Sequence, residues 1–339
     1  MVAVSAAVLG VLIASVVAAQ GERQVEPTVP ETPGVATEFG ELEGGVRTFE
    51  VTASEIQHRV ANFPFETVRA WGYNGSTPGP TLVAYEGETV RVKLQNQLDE
   101  ATTIHFHGMH MPNEDDGVAG VSQVKPVPPG ESHAYEFESG HVGTFAYHAH
   151  TNGAKQTLRG LEGIFVVLPE TQPASEKVDR DFVFSLQQFA AHEEDQLVEP
   201  FPDGGHFGFH TMNGTTGEAP DEPLTISEGD RIRVRLYNAS NQNHAMHLHG
   251  HDFEIVSRNG HPVPRSARNR QQTQDVAPGE FFEIEWTADE PGNWAFHCHV
   301  PHHTTNHGQS GWNGAPVGMT RIFHYEGGDG GHGDGGDGH

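Results

Sequence analysis

The chain's one cysteine, Cys298, stands between two histidines in NWAFHCHVPHHTTN, residues 293–306. Thiolate and imidazole are the side chains that bind transition metals of the copper and zinc type. The spacing H-x-H occurs at four matched places: His105/His107, His148/His150, His247/His249 and His297/His299. Along an extended strand, residues i and i+2 point to one face. Each pair therefore offers two imidazoles on the same side, a bidentate clamp for a metal ion. Cys298 must point the other way and can serve a second metal. His244, three residues before His247, and His303, five after Cys298, supply co-ligands. Two histidines and a cysteine, with a weak axial methionine, make a copper electron-transfer site, and Met319 in APVGMTRI is the axial candidate. The covalent path from the sulfur to either flanking imidazole is short, which suits electron transfer between the two metal centres.

The elements that must hold these groups repeat once. GPTLVAYEGETVRVKLQNQLDEATTIHFHGMHM begins at Gly79 and DEPLTISEGDRIRVRLYNASNQNHAMHLHGHDF at Asp221; Glu86 matches Glu228 and His105 matches His247, both 142 positions apart. PPGESHAYEFESGHVGTFAYHAH begins at Pro128 and APGEFFEIEWTADEPGNWAFHCH at Ala277; Glu131 matches Glu280 and His148 matches His297, both 149 apart. One loop insertion between the blocks accounts for the difference. The repeat carries its own control. Ala149, Thr102 and Ala154 stand where the second copy has Cys298, His244 and His303. The first copy thus keeps its clamps and lacks the thiolate site.

Within each copy, TVRVKL, RIRVRL, HAYEFE and FFEIEW alternate apolar and polar residues, the pattern of half-buried strands. No stretch holds a helical period over three turns. The fold expected is all-β, with two β-sandwich domains in tandem over residues 45–170 and 171–327, joined near LPETQPASEKVDRD, residues 168–181. Residues 21–44 read as a flexible segment and the Gly/Asp/His tail 328–339 as disordered.

The first nineteen residues are uncharged and apolar, and small residues precede Gln20, so residues 1–20 read as a secretory signal or an N-terminal anchor, implying export. A formal charge of −27 argues against a nucleic-acid partner, whose phosphates it would repel. With one cysteine there is no internal disulfide. A lone thiol in an exported protein is oxidised unless it is buried or metal-bound. Twenty-four histidines, many in short clusters, point the same way.

HFHG, HAH, HAMHLHG and HCHVPHH followed by GM resemble the four copper motifs of the multicopper oxidases. The short length, two domains and cysteine in the second copy alone are similar to the two-domain, laccase-like branch, over most of residues 45–325. The resemblance implies two cupredoxin-like Greek-key β-sandwiches. It implies a type 1 copper on His244, Cys298, His303 and Met319. It further implies a trinuclear cluster, with His105 and His247 on the type 2 copper. His107, His148, His150, His249, His297 and His299 would hold the type 3 pair, giving about four copper ions per subunit. In that branch the cluster forms between the first domain of one subunit and the second domain of its neighbour, in a homotrimer.

The implied reaction is one-electron oxidation of a small donor, of the phenol or aryl amine type, coupled to reduction of dioxygen to water. Asp116, preferred to Asp115, is the implied proton carrier; a turn Asp before glycine is the plainer explanation. Thr304 stands where some relatives carry a carboxylate, so no second proton donor is assigned. The stretch 304–318 separates His303 from Met319, unlike most members; it is expected to lie beside the type 1 site, with His307 and Trp312 there either to contact a donor or to pack the loop. A cuprous or manganous ion is the alternative donor, suggested by Met109, His110 and Met111. A copper nitrite reductase would carry the thiolate site in its first domain, where Ala149 stands. A non-catalytic copper electron carrier would leave the four clamps without a use.

Overall fold

The computed structural model describes residues 22–60, 66–191, 195–199, 207–217, 224–306 and 318–326. The expected segments 1–20 and 328–339, and His307 and Trp312, lie outside them. Among the described residues no helix is long and apolar enough to cross a membrane.

The chain is all-β, as its alternating patterns require. The first pair of sheets comes from residues 37–168. One orders its strands Thr37–Glu38, Gly79–Tyr85, Glu162–Leu168, Gly143–Ala149 and Ile104–His107. The other runs Glu41–Glu43, Val46–Arg59, Thr89–Asn96 and Ser132–Glu138, with Thr67–Tyr73 also on Val46–Arg59. The second pair repeats the plan. Leu224–Ile226, Thr320–Tyr325, Asn293–Cys298, His244–Leu248 and Thr273–Val276 form one sheet. Arg180–Ala191, Arg231–Asn238, Phe281–Thr287 and Phe253–Arg258 form the spine of the other. Each of these four sheets mixes parallel and antiparallel pairs: Val46–Arg59 with Thr89–Asn96 and Arg180–Ala191 with Arg231–Asn238, for example, pair in parallel.

Each sandwich closes on its own apolar core. Phe49, Val92, Phe106, Phe137 and Phe165 meet in the first, and Phe184, Leu236, Ile284, Phe296 and Phe323 in the second. A third cluster joins the two, with Val83, Ala146, Ile164 and Val166 against Val183, Tyr237 and Phe281.

One expectation needs correction. Residues 21–44 are not simply flexible. Gln24–Val25 pairs with Gln172–Pro173 in the interdomain stretch, Thr37–Glu38 joins the first sheet, and Glu41–Glu43 forms a hairpin with Val46–Arg59. The bonds come from distant partners, which a polar, Pro- and Gly-containing segment does not announce. The polar residues of RIRVRL and FFEIEW do not all face water. Arg235 is buried, bonded to Asp181 and Glu283 at 2.7 and 2.9 Å, and it also donates to Thr144 of the first domain at 2.9 Å. The polar face of these strands packs against the first domain, so its charges had to pair.

Candidate metal centre

The site begins with two antiparallel pairings. In the second domain the strand His244–Leu248 runs beside Asn293–Cys298, with His247 opposite His297 and Met246 opposite Cys298. Directly opposed residues share a face. The imidazoles of His247 and His297 therefore stand on one side, and Cys298 turns to the other with Met246, both wholly buried. His244, three positions before His247, falls on the buried side as well. In the first domain the same geometry places His148 opposite His105.

Three groups of ligand atoms result, each lying within 4.8 Å of one another: His105, His107 and His148; His247, His249 and His297; and His244, Cys298 and His303. His150 and His299 complete the outer sets by ring contact, 5.2 Å from His105 and 5.3 Å from His247 between centroids. In the buried set, Cys298 Sγ lies 3.8 Å from His244 Nδ1 and 3.5 Å from His303 Nδ1. The outer nitrogens are held from behind: Ser240 Oγ is 2.7 Å from His244 Nε2, and Gln242 Oε1 is 2.8 Å from His303 Nε2. Such partners fix the tautomer and aim the free nitrogen.

His303 sits on the short helix Pro301–Thr305, which opens on proline and ends at Asn306 in the left-handed region. Met319 is buried, its N–H bonds to the His303 carbonyl, and its carbonyl accepts from Cys298 N–H, each at 3.0 Å. Gly318 makes that approach possible, because a Cβ there would lie 2.1 Å from the His303 carbonyl.

The outer rings are tethered through Nδ1 in the same way. His148 and His297 meet the carbonyls of Ala149 and Cys298 at 3.0 and 2.9 Å. His247 meets the Gln272 carbonyl and Thr273 hydroxyl, both at 2.9 Å. His105 Nδ1 lies 2.8 Å from the Asp116 carbonyl and 3.2 Å from its carboxylate. Asp115 instead accepts from the Glu136 N–H. Nε2 is thereby left to face a metal.

Burial favours the forms that ligate. It lowers His148 and His244 to about 3, the latter helped by His303, and lowers His107, His247 and His297, so these rings are neutral. It pushes the Cys298 thiol up to about 11; a bound cation reverses that order and draws off the proton.

The first domain fills the equivalent of the thiolate site with other chemistry. Thr102 donates to Gln156 Oε1 at 2.8 Å, and both are fully buried, as is Ala149. Sequence spacing identified the loss of ligands but not Gln156, which sits on a short helix with no matching motif. It also missed Ser240, Gln242 and His210, whose ring stacks on His303. Met109 and Met111, considered for metal docking, pack part-buried on the first core.

The donor set fits copper: one buried sulfur with two imidazoles in one group, and two further quartets of imidazoles, one in each domain. Comparison with known proteins agrees. Multicopper oxidase family models match residues 55–172 and 188–308. Laccase-2 of Podospora anserina is 31% identical over 75% of this chain and 42% of its own length. The chain thus spans less than half of that relative. A blue copper oxidase from Nitrosomonas europaea superposes with a TM-score of 0.73 at 28% identity, covering 83% of this chain and 86% of the other. The multicopper oxidase mgLAC does so with a TM-score of 0.73 at 30% identity, over 83% and 87%. Two matched domains, each bringing its own histidine motifs together in space, make this chain a member of the multicopper oxidase family.

Proposed function

We propose that this chain is a laccase-like oxidase. A small donor gives up single electrons at the set His244, Cys298, His303 and Met319, and dioxygen is reduced at the eight outward histidines. The observation that carries the reading is the register at Cys298. One tripeptide presents its sulfur to a buried ligand set and its two imidazoles to the set on the opposite face. Copper, about four ions per chain, would supply one-electron chemistry at the first set and reduction of dioxygen to water at the second.

The protein's part is positional. Ser240 and Gln242 fix the two ligand rings, and burial keeps water from the sulfur. Asp116 touches His105 while remaining part exposed, so it is placed to bring protons from solvent towards the outer set.

Assembly belongs to the same reading. Among the described residues no ring contact or hydrogen bond joins the first-domain quartet to the second-domain quartet, and His150, His249 and His299 are exposed. Each quartet is half of the expected eight. Facing the first-domain quartet of one copy with the second-domain quartet of another completes it, and a closed ring of three copies satisfies every quartet. The donor assigned is a phenol or aryl amine. The packing of Met109 and Met111 speaks against their docking a cuprous ion.

The test is copper loading of the full chain, followed by a metal count, optical and EPR spectra, sedimentation, and oxygen uptake with a phenol, Cu(I), Mn(II) or nitrite. The reading expects blue absorption, a trimer and phenol-driven oxygen uptake. One ion per chain without oxygen uptake would leave only an electron carrier.

A further inference from the structure

His210 belongs to the strand Phe207–Met212 and is 2% exposed. Its ring lies over that of His303, with centroids 3.7 Å apart and planes inclined by 25°. Its position is fixed through an unusual partner. Asn306, which ends the helix carrying His303, accepts from the His210 N–H at 2.9 Å and donates to the His210 carbonyl at 3.3 Å. Asn306 is itself fully buried. One side chain thus sets the spacing between the strand and the ligand-bearing helix.

His303 is then held from several sides. Gln242 holds its outer nitrogen, Cys298 faces its inner one, and His210 covers one face. His210 is not part of the group of ligand atoms around Cys298. An imidazole bound to an oxidised metal carries positive charge, and the face of a neighbouring ring attracts positive charge. We propose that His210 is a positioning residue for the buried metal site, fixing the plane of His303 and favouring the oxidised state of the metal that His303 binds. This rests on the reading of His244, Cys298 and His303 as a type 1 copper site.

The experiment is a redox titration of the blue band, with EPR, on copper-loaded full-length protein and on His210→Leu and His210→Phe. With its ring face removed, His210→Leu should keep its copper, show a higher reduction potential, and show altered copper hyperfine splitting. His210→Phe keeps a face over His303 and should return both quantities towards wild type. A fully loaded His210→Leu with wild-type potential and EPR spectrum would overturn the inference. So would a shift in His210→Phe as large as that in His210→Leu. Should His210→Leu fail to fold, judged by near-UV circular dichroism, His210→Gln takes its place with the same expectation. A wild-type protein without a blue band after loading would sink the copper reading itself, a result distinct from either of these.

Discussion

Cys298 Sγ lies 3.5 Å from His303 Nδ1, and both residues are closed to solvent. A thiol buried so deeply stays protonated unless a cation lies against it. Its use is therefore tied to a metal. Cys298→Ser should bind one copper ion fewer per chain, lose the blue absorption and lose donor oxidation, while the outward histidines still load. Copper analysis with optical spectra checks this, and a blue band in the serine variant would refute the assignment.

Ser240 and Gln242 touch no metal in this reading, yet each holds the outer nitrogen of a ligand ring. Loss of such a partner commonly weakens metal binding roughly 10–100-fold. Ser240→Ala and Gln242→Leu should each weaken retention of the type 1 copper by about that factor, leaving the outer clamps unaffected. Chelator competition followed at the blue band measures it. Equal loss of copper from both sets would mean general destabilisation instead.

Much of this site was legible because strand geometry is periodic. H-x-H on a strand fixes two rings to one face, and a repeat with one substituted copy separates the ligands of one site from those of the other. Asp116 was singled out by the family resemblance, and its contact with His105 is a matter of loop packing. A Cβ at Gly117 would lie 1.7 Å from the Ile104 carbonyl, so the loop presses against the strand of His105. What escaped lies in contacts between distant segments. His210 and His303 are separated by most of the second domain, and nothing in FGFHTM distinguishes its histidine from a solvated one. Gln242 lies in NASNQNH, which reads as a polar turn, and its partner His303 is 61 residues away. The N-terminal strands were missed for the same reason, since their pairing lies entirely in their partners.

Asp116 is the carboxylate in contact with His105, whereas Asp115 is engaged with the Glu136 backbone. Asp116→Asn keeps the size and the backbone contact but cannot carry a proton. Oxygen uptake should fall by about 10²-fold, the usual scale for a lost general acid. Anaerobic bleaching of the blue band by a donor should be unchanged, because no proton is consumed at that set. Asp115→Asn should alter neither rate. If the Asp116 variant slows bleaching and oxygen uptake alike, its effect is structural.

Glu162 offers a test of the interface between the domains. It is 1% exposed, bonded to Ser185 of the second domain at 3.0 Å through one oxygen, and its other oxygen has no partner among the described residues. Burial raises its carboxyl to about 8 against the Ser185 bond, which opposes the rise. The folded state therefore keeps a proton that the unfolded chain, near its ordinary value of 4.5, has lost. Between these two values the native state binds more protons, so this group's contribution to stability falls as pH rises, by at most about 1.4 kcal/mol per pH unit. Below the lower value and above the upper one the contribution is flat. Glu162→Gln keeps a neutral group of the same shape and removes the dependence. Urea unfolding of metal-free wild type and variant at pH 5, 6.5 and 8 should show the variant gaining on wild type as pH rises, with the largest advantage at pH 8. Parallel stability curves for the two proteins would show that Glu162 is ionised in the fold and that water or a cation reaches it.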